Sequence, residues 1–372
     1  MKFIDEFRDK DLAQSLVKQI QVSLSRSRTL PLRFMEFCGG HTHAILRFGI
    51  RKLLPPEIEM LSGPGCPVCV TSATDIDWAI AFSQVPGAIL TTFGDMVRVR
   101  GTKGSLQSER ARGADVRIVY SPLDSLKLAE RHPDRPVIFL GVGFETTAPG
   151  VAASILEAEA KGLRNYSVFC VHKLTPPATR AILDAGEVRL SGILGPGHVT
   201  TVIGTRAWGF LAEQYRVPIA VAGFEPLDIL SGIKMLVQQL SQGHVRVDNA
   251  YPRAALSQGN PTALSVMNKV FEVSDAEWRG MGVLPQSGLR LREAYASFDA
   301  AKAFPIHIDS SKDPPGCRCG EVLRGVLSPP QCPLFRQVCS LDNPIGPCMV
   351  SGEGACSAYL QYGEGRFENE SN

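Results

Sequence analysis

The chain has 372 residues, 44% of them hydrophobic and 20% charged, with 39 Lys and Arg set against 37 Asp and Glu. That length suits two or three folded units, and a net charge of +2 gives no electrostatic ground for expecting nucleic acid or an anionic membrane as partner. No apolar run approaches the roughly 20 residues of a membrane helix, and the N-terminus mixes acids with bases where a signal peptide would be apolar, so the expected location is the cytoplasm.

Ile4, Phe7, Leu12, Leu16 and Ile20 recur at helical spacing and predict an amphipathic N-terminal helix. From Leu32 to about Leu230 one theme repeats: a short apolar run, a Gly-rich turn, then a helix-like segment. The runs are LRFMEF, IEMLSG, GAILTTF, VRIVY, PVIFLGVG, YSVFCV, SGILG and VPIAVAGF. Short apolar strands alternating with helical patterns predict parallel sheets of the α/β class. Leu61-Ser62-Gly63-Pro64-Gly65-Cys66 is echoed by Leu194-Gly195-Pro196-Gly197-His198 at an offset of 132, and Thr92-Phe93-Gly94-Asp95 by Ala222-Gly223-Phe224-Glu225 at 129. The echo predicts two related α/β domains, 1–133 and 134–245, facing a cleft lined by the loops at their strand ends. Beyond about Val245, ALSVMNKVFEV and GLRLREAYASFDAAKAF have helical periodicity and lead into a Pro- and Cys-rich end, which predicts a small C-terminal helical domain, 246–372. The polar last residues, GEGRFENESN, are expected to fray.

In a reducing compartment the ten cysteines are expected to be metal ligands, reactive thiols or small buried hydrophobes. Cys38 leaves the first run into Gly39-Gly40-His41-Thr42-His43. Backbone donors at a helix start are expected to lower its thiol pKa, and a thiolate with two imidazoles suits a soft metal. Of the histidines, His41 is preferred because it is nearer the turn. A buried structural cysteine is the other reading. Cys66-Pro67-Val68-Cys69 is a CxxC at a helix start, the arrangement of thiol–disulfide chemistry and also of half a zinc site. Val70 stands where c-type haem attachment requires histidine. Cys170, inside an apolar run, reads as core.

Gly141-Val142-Gly143-Phe144-Glu145-Thr146 lacks the third glycine of a dinucleotide fingerprint, and the chain has no P-loop. Glu145, Thr146 and Thr147 are therefore cleft candidates, with a plain helix cap as the alternative. His172, Lys173 and His198 end neighbouring runs and are weaker candidates for the same cleft. The strongest pattern is C-terminal: Cys317, Cys332, Cys339 and Cys356, with 14, 6 and 16 residues between them in Pro-rich loops. Four thiolates from one segment are what a 4Fe–4S cluster needs. A zinc Cys₄ site is the competing reading, although the paired knuckles of a zinc ribbon are absent. Cys319 and Cys348 are possible substitute ligands.

Together Phe37-Cys38-Gly39-Gly40-His41-Thr42-His43, Gly63-Pro64-Gly65-Cys66-Pro67-Val68-Cys69, Gly143-Phe144-Glu145-Thr146-Thr147-Ala148-Pro149 and the C-terminal spacing resemble the HypD family of NiFe-hydrogenase maturation proteins over nearly the whole chain. The resemblance implies a scaffold that works with the small chaperone HypC while iron acquires two cyanides and one carbon monoxide. It implies that HypE carries the cyanide as a thiocyanate and that the Fe(CN)2CO unit passes on to the hydrogenase large subunit. By the same resemblance Cys38 would be an iron ligand shared with HypC, Cys66 and Cys69 a redox-active pair, and Cys317, Cys332, Cys339 and Cys356 the cluster ligands. Two other classes stay open: a free-standing iron–sulfur thiol–disulfide oxidoreductase and a zinc-stabilised binding protein.

Overall fold

The computed structural model describes residues 5–27, 30–308 and 311–363. The eight runs become the strands β1 (Leu32–Glu36), β2 (Ile58–Ser62), β3 (Ile89–Thr92), β4 (Asp115–Ile118), β5 (Val137–Gly141), β6 (Tyr166–Cys170), β7 (Gly192–Pro196) and β8 (Ile219–Ala222). β5 and β7 are buried at every position, as strands covered on both faces must be. A ninth strand, β9 (Val247–Asn249), follows the helix Pro226–Gln242. The N-terminal helix runs from Lys10 to Leu24, capped by the Asp9 side chain, and packs on Pro226–Gln242. Ile4 lies outside the described residues, as does the polar end from Glu364.

The strands form two parallel sheets, ordered β2-β1-β7-β8-β9 and β4-β3-β5-β6. The α/β class is as expected, but the pairing crosses the expected boundary at residue 133. β3 pairs with β5, so residues 89–170 form one sheet inserted between β2 and β7 of the other. The motif echo does not align the two sheets either: its first pair lies at the ends of β2 and β7 in a single sheet, and its second at β3 and β8, the first strand of one sheet and the fourth of the other. The two sheets are alike in another way: in each, the first strand lies between the second and the third. This order creates a switch point beside β1 in one sheet and beside β3 in the other, and ligands of open α/β sheets bind outside such points.

The region after Val245 is less helical than expected. The helix Pro261–Val270 is followed by an antiparallel hairpin, β10 (Phe271–Trp278) and β11 (Gly282–Leu291). Its turn uses Gly280 and Gly282 at φ 74° and 73°, a conformation that glycine adopts freely. A register shift between Ser274 and Ala276 breaks the two-residue alternation that would have announced a strand. The hairpin bridges to Thr71, just after the CxxC, and to Lys173, just after β6. From Cys317 onward the chain forms short turns of helix, Cys319–Leu323, Pro347–Val350 and Ala355–Tyr362 among them. Arg98 donates to Val350 O at 2.9 Å, and Gly39 abuts Glu353, so the 350–354 loop is wedged between the carboxyl ends of β1 and β3.

Candidate functional site

Cys38 stands at the switch point beside β1, as the N-cap of the helix Gly39–Arg47. Its surroundings are built by close backbone approach. Gly63 N–H donates to Glu36 O at 2.8 Å and Gly39 N–H to Gly65 O at 2.9 Å, which lays the turn leading into the CxxC along Glu36–Gly39. Cys66 caps the short helix Pro67–Val70, and Cys66 and Cys69 are joined in a disulfide. Both are buried, at 3% and 0% exposure.

The electrostatics of Cys38 overturn the expectation of a lowered pKa. The N–H groups of Gly40 and His41 do favour the thiolate, but burial outweighs them and pushes the thiol well up, helped by Glu353 and Glu36. Glu36 itself is buried, accepts the Cys38 N–H at 2.9 Å and the Thr42 hydroxyl, and is pushed up to about 8 by burial. Asp95, beyond β3, interacts electrostatically with Glu353, one of the two carboxylates that act on Cys38.

His41 is the buried histidine of the pair. Its Nε2–H donates to Gly223 O at 2.9 Å and also lies 3.2 Å from Ala222 O, which leaves Nδ1 as the bare nitrogen, with no partner among the described residues. Burial lowers its pKa to about 4, so it is neutral near pH 7. The Phe224 ring stacks with His41 at 4.8 Å and with His198 at 3.8 Å. Phe224 also closes over Gly40. His198 thus joins the Cys38 site from beyond β7, while half-buried His43 turns to Gly352 O and Tyr362.

The other cleft candidates are elsewhere. Glu145 turns into the core, accepting the Thr175 N–H at 2.8 Å. Thr147 donates its hydroxyl to Phe144 O at 3.2 Å, and Thr146 is exposed. His172 is buried beside Cys170 (Nδ1 to Sγ 3.5 Å), and buried Lys173 donates to Glu277 O at 2.6 Å and pairs with Asp75 at 3.3 Å. Cys170, His172 and Lys173 fasten the hairpin to the inserted sheet, and no described contact of these candidates reaches Cys38.

Burial raises the Glu145 carboxyl from 4.5 to about 7. Between those values the folded chain keeps a proton that the unfolded chain releases. The contribution is therefore complete below pH 4.5 and is lost as pH rises through 7, on the order of 3 kcal/mol. Glu145→Gln is expected to flatten the loss of stability between pH 5 and 7, read by urea unfolding at both values. A slope equal to wild type would show that the carboxyl is already ionised in the fold.

The C-terminal cysteines divide into two sets. Cys319 and Cys348 are joined in a disulfide, which removes both as substitute ligands. Cys317, Cys332, Cys339 and Cys356 are free thiols. Their charges act on one another: burial, then Cys332 and Cys339, lifts Cys317 to about 11, and burial with the other three lifts Cys356 further. Among the described residues no three Cys, His, Asp or Glu side chains converge closely enough to hold one metal ion. Four free thiols within electrostatic reach of one another are a donor set that a 4Fe–4S cluster takes and that a zinc Cys₄ site takes as well. The Cys66–Cys69 disulfide lies beside this region, with Cys69 Sγ 3.9 Å from Pro347 O, next to Cys348. Both disulfides and three of the free thiols, Cys332, Cys339 and Cys356, belong to one apolar cluster, against which Cys317 packs.

Glu36, Glu353, Asp95 and Phe224 were not singled out by sequence. Glu36 had one available signal, a lone carboxylate inside the apolar run that ends at Cys38.

The family model HypD, described as "Hydrogenase formation hypA family", matches residues 11–363. The chain is 48% identical over 374 residues to the hydrogenase maturation factor HypD of Rhizobium leguminosarum bv. viciae, covering 98% of this chain and 97% of that one. It is 48% identical over 373 residues to that of Azotobacter vinelandii, covering 98% of each. To that of Escherichia coli K12 it is 46% identical over 366 residues, covering 97% of this chain and 98% of that one.

Proposed function

We propose, from the premise that this chain belongs to the HypD family, that it acts in hydrogenase maturation as the scaffold on which iron becomes an Fe(CN)2CO unit. The observation that carries the reading is the placement of Cys38: a lone free thiol at the switch point, in backbone contact with the turn of a buried CxxC disulfide. The iron is cargo. Low-spin iron bearing cyanide and CO prefers soft donors, and the incoming cation would displace the proton that burial otherwise keeps on Cys38. We read His41, neutral and held through Nε2–H to Gly223 O, as an orienting group of the site.

Cyanide delivered as a thiocyanate must be cut from sulfur. Thiocyanate takes two electrons and one proton to become a thiol and cyanide, while Cys66 and Cys69 as a dithiol give two electrons and two protons on returning to the disulfide. The fitting residues for a resident 4Fe–4S cluster are Cys317, Cys332, Cys339 and Cys356, and such a cluster would supply electrons one at a time. A HypC-type chaperone is the partner sharing the iron, a HypE-type protein the cyanide donor and the hydrogenase large subunit the final acceptor. We place the work in the cytoplasm. Among the described residues no helix is long and apolar enough to cross a membrane.

Burial of both CxxC sulfurs weighs against the free-standing oxidoreductase, whose dithiol must reach a protein disulfide. Cys66→Ser is expected to stop cyanide transfer from a thiocyanate-charged HypE-type partner while iron content stays unchanged. Transfer at the wild-type rate would sink the dithiol's part in the reading.

A further inference from the structure

The scaffold reading consumes electrons, and the source must touch the molecule somewhere. We infer that a basic groove beside the cysteine loops is the docking site for an acidic one-electron carrier protein. The inference rests on the cluster reading above.

The groove encloses about 580 Å³ and is lined by Arg47, Arg51, Lys52 and Arg336, and none of its described lining residues is acidic. Arg47, Lys52 and Arg336 are exposed. Its wall reaches toward the free thiols. Phe335, which lines the groove, sits between Cys332 and Cys339 in the chain and packs in the same apolar cluster as Cys332, Cys339 and Cys356. The Phe335 N–H donates to Cys332 O at 3.0 Å and the Arg336 N–H to Cys339 O at 3.2 Å. Tyr359, also lining the groove, is one helical turn beyond Cys356. An approaching protein would therefore stand one layer of side chains from three of the four thiols.

The charge pattern selects the partner. Arg51 is laid over the Tyr359 ring at 4.9 Å and donates to Met60 O, and Arg336 is laid over Phe335 at 5.5 Å. These guanidinium groups spread along the walls and do not converge on a point, as the site of a small anion would require. A broad positive face with aromatic contacts suits a transient redox encounter, where interfaces are small and complementary charge governs the on-rate. Two encounters, each oxidising one carrier by one electron, supply the pair that turns the Cys66–Cys69 disulfide into a dithiol, with two protons from solvent.

The test uses the anaerobically purified, cluster-loaded full chain and a small acidic 2Fe–2S ferredoxin. Binding of oxidised ferredoxin is measured by calorimetry, and bleaching of the protein's visible absorbance by reduced ferredoxin in stopped flow. Both affinity and rate are expected to fall at least about tenfold as ionic strength rises from roughly 20 to 300 mM, and again in an Arg47→Glu, Lys52→Glu, Arg336→Glu variant. Bleaching by photoreduced deazaflavin should stay at the wild-type rate in that variant. A brown variant that binds and accepts electrons from ferredoxin as wild type does overturns this inference and leaves the cluster reading standing. An iron-free protein overturns both. If deleting residues 364–372 is what first admits ferredoxin, the groove belongs to the chain's own acidic tail and the inference falls.

Discussion

Gly65→Ala should cost about 3 kcal/mol or more and drive the CxxC turn away from Cys38. A Cβ built on Gly65 meets the Cys38 nitrogen and Cα and the Phe37 carbonyl carbon at separations that real Cβ atoms do not show. All three are backbone atoms, so no side chain can swing aside to relieve the clash. The strand end cannot retreat either, because Phe37 is 2% exposed and the helix after Cys38 begins through bonds from His41 N–H and Thr42 N–H to Cys38 O. The turn is held from its own side as well, with Gly63 pressed on Glu36 O and Met35. Gly94→Ala is the control. It has ordinary φ, and its nearest neighbour is Ile118 Cγ2 at 3.7 Å, which is normal van der Waals contact. Its effect should stay within about 0.5 kcal/mol. Urea unfolding and apparent Tm of the two variants decide the matter. If Gly65→Ala melts with wild type, the turn does not rest on the strand end as described.

The strands and the chemistry were legible in different degrees. Buried parallel strands read as continuous apolar runs, so all eight runs found their strands, and the motifs stand at strand ends because glycine turns follow them. Strand order was not legible. A run such as Val137–Leu140 carries the same local signal whether it joins β3 or begins a new sheet, so the insertion of 89–170 could not be read from pattern. The glycine-rich echo misled for a related reason: Gly65 and Gly197 both answer the local need of a chain that leaves a strand beside β1 and passes close to other backbone. The β10–β11 hairpin was hidden by its register shift, and Leu289 and Leu291 were absorbed into a helical period. Within the site, the thiol pKa was misjudged because backbone donors are local and readable, whereas burial by Phe37, Phe224 and the 350–354 loop is not. The pairing of Cys319 with Cys348 likewise depends on a fold that brings together residues 29 apart in sequence.

Cys38→Ala should abolish the infrared bands of iron-bound cyanide and CO in protein produced with its small chaperone, and leave the fold and the brown colour intact. The expectation follows from what surrounds the sulfur. The other soft donors near the switch point, Cys66 and Cys69, are tied to each other. His41 spends Nε2–H on Gly223 O, and Glu36 is engaged by the Cys38 N–H and the Thr42 hydroxyl. Removal of one thiol therefore leaves carboxylates, the bare Nδ1 of His41 and the His198 ring around the iron, and these harder donors hold low-spin iron with strong-field ligands poorly beside a thiolate. The fold should tolerate the change, since cysteine to alanine removes a single sulfur from a residue already 9% exposed, at a cost of roughly 1 kcal/mol. The cysteines proposed for the cluster pack in an apolar cluster to which Cys38 does not belong. Bands in wild type that vanish in the variant assign the iron to Cys38. Bands that persist in Cys38→Ala would move the iron to another residue and take the scaffold reading of Cys38 with it. If neither protein shows bands while both are brown, the balance shifts to a thiol oxidoreductase, and the buried CxxC would then have to open before it could act.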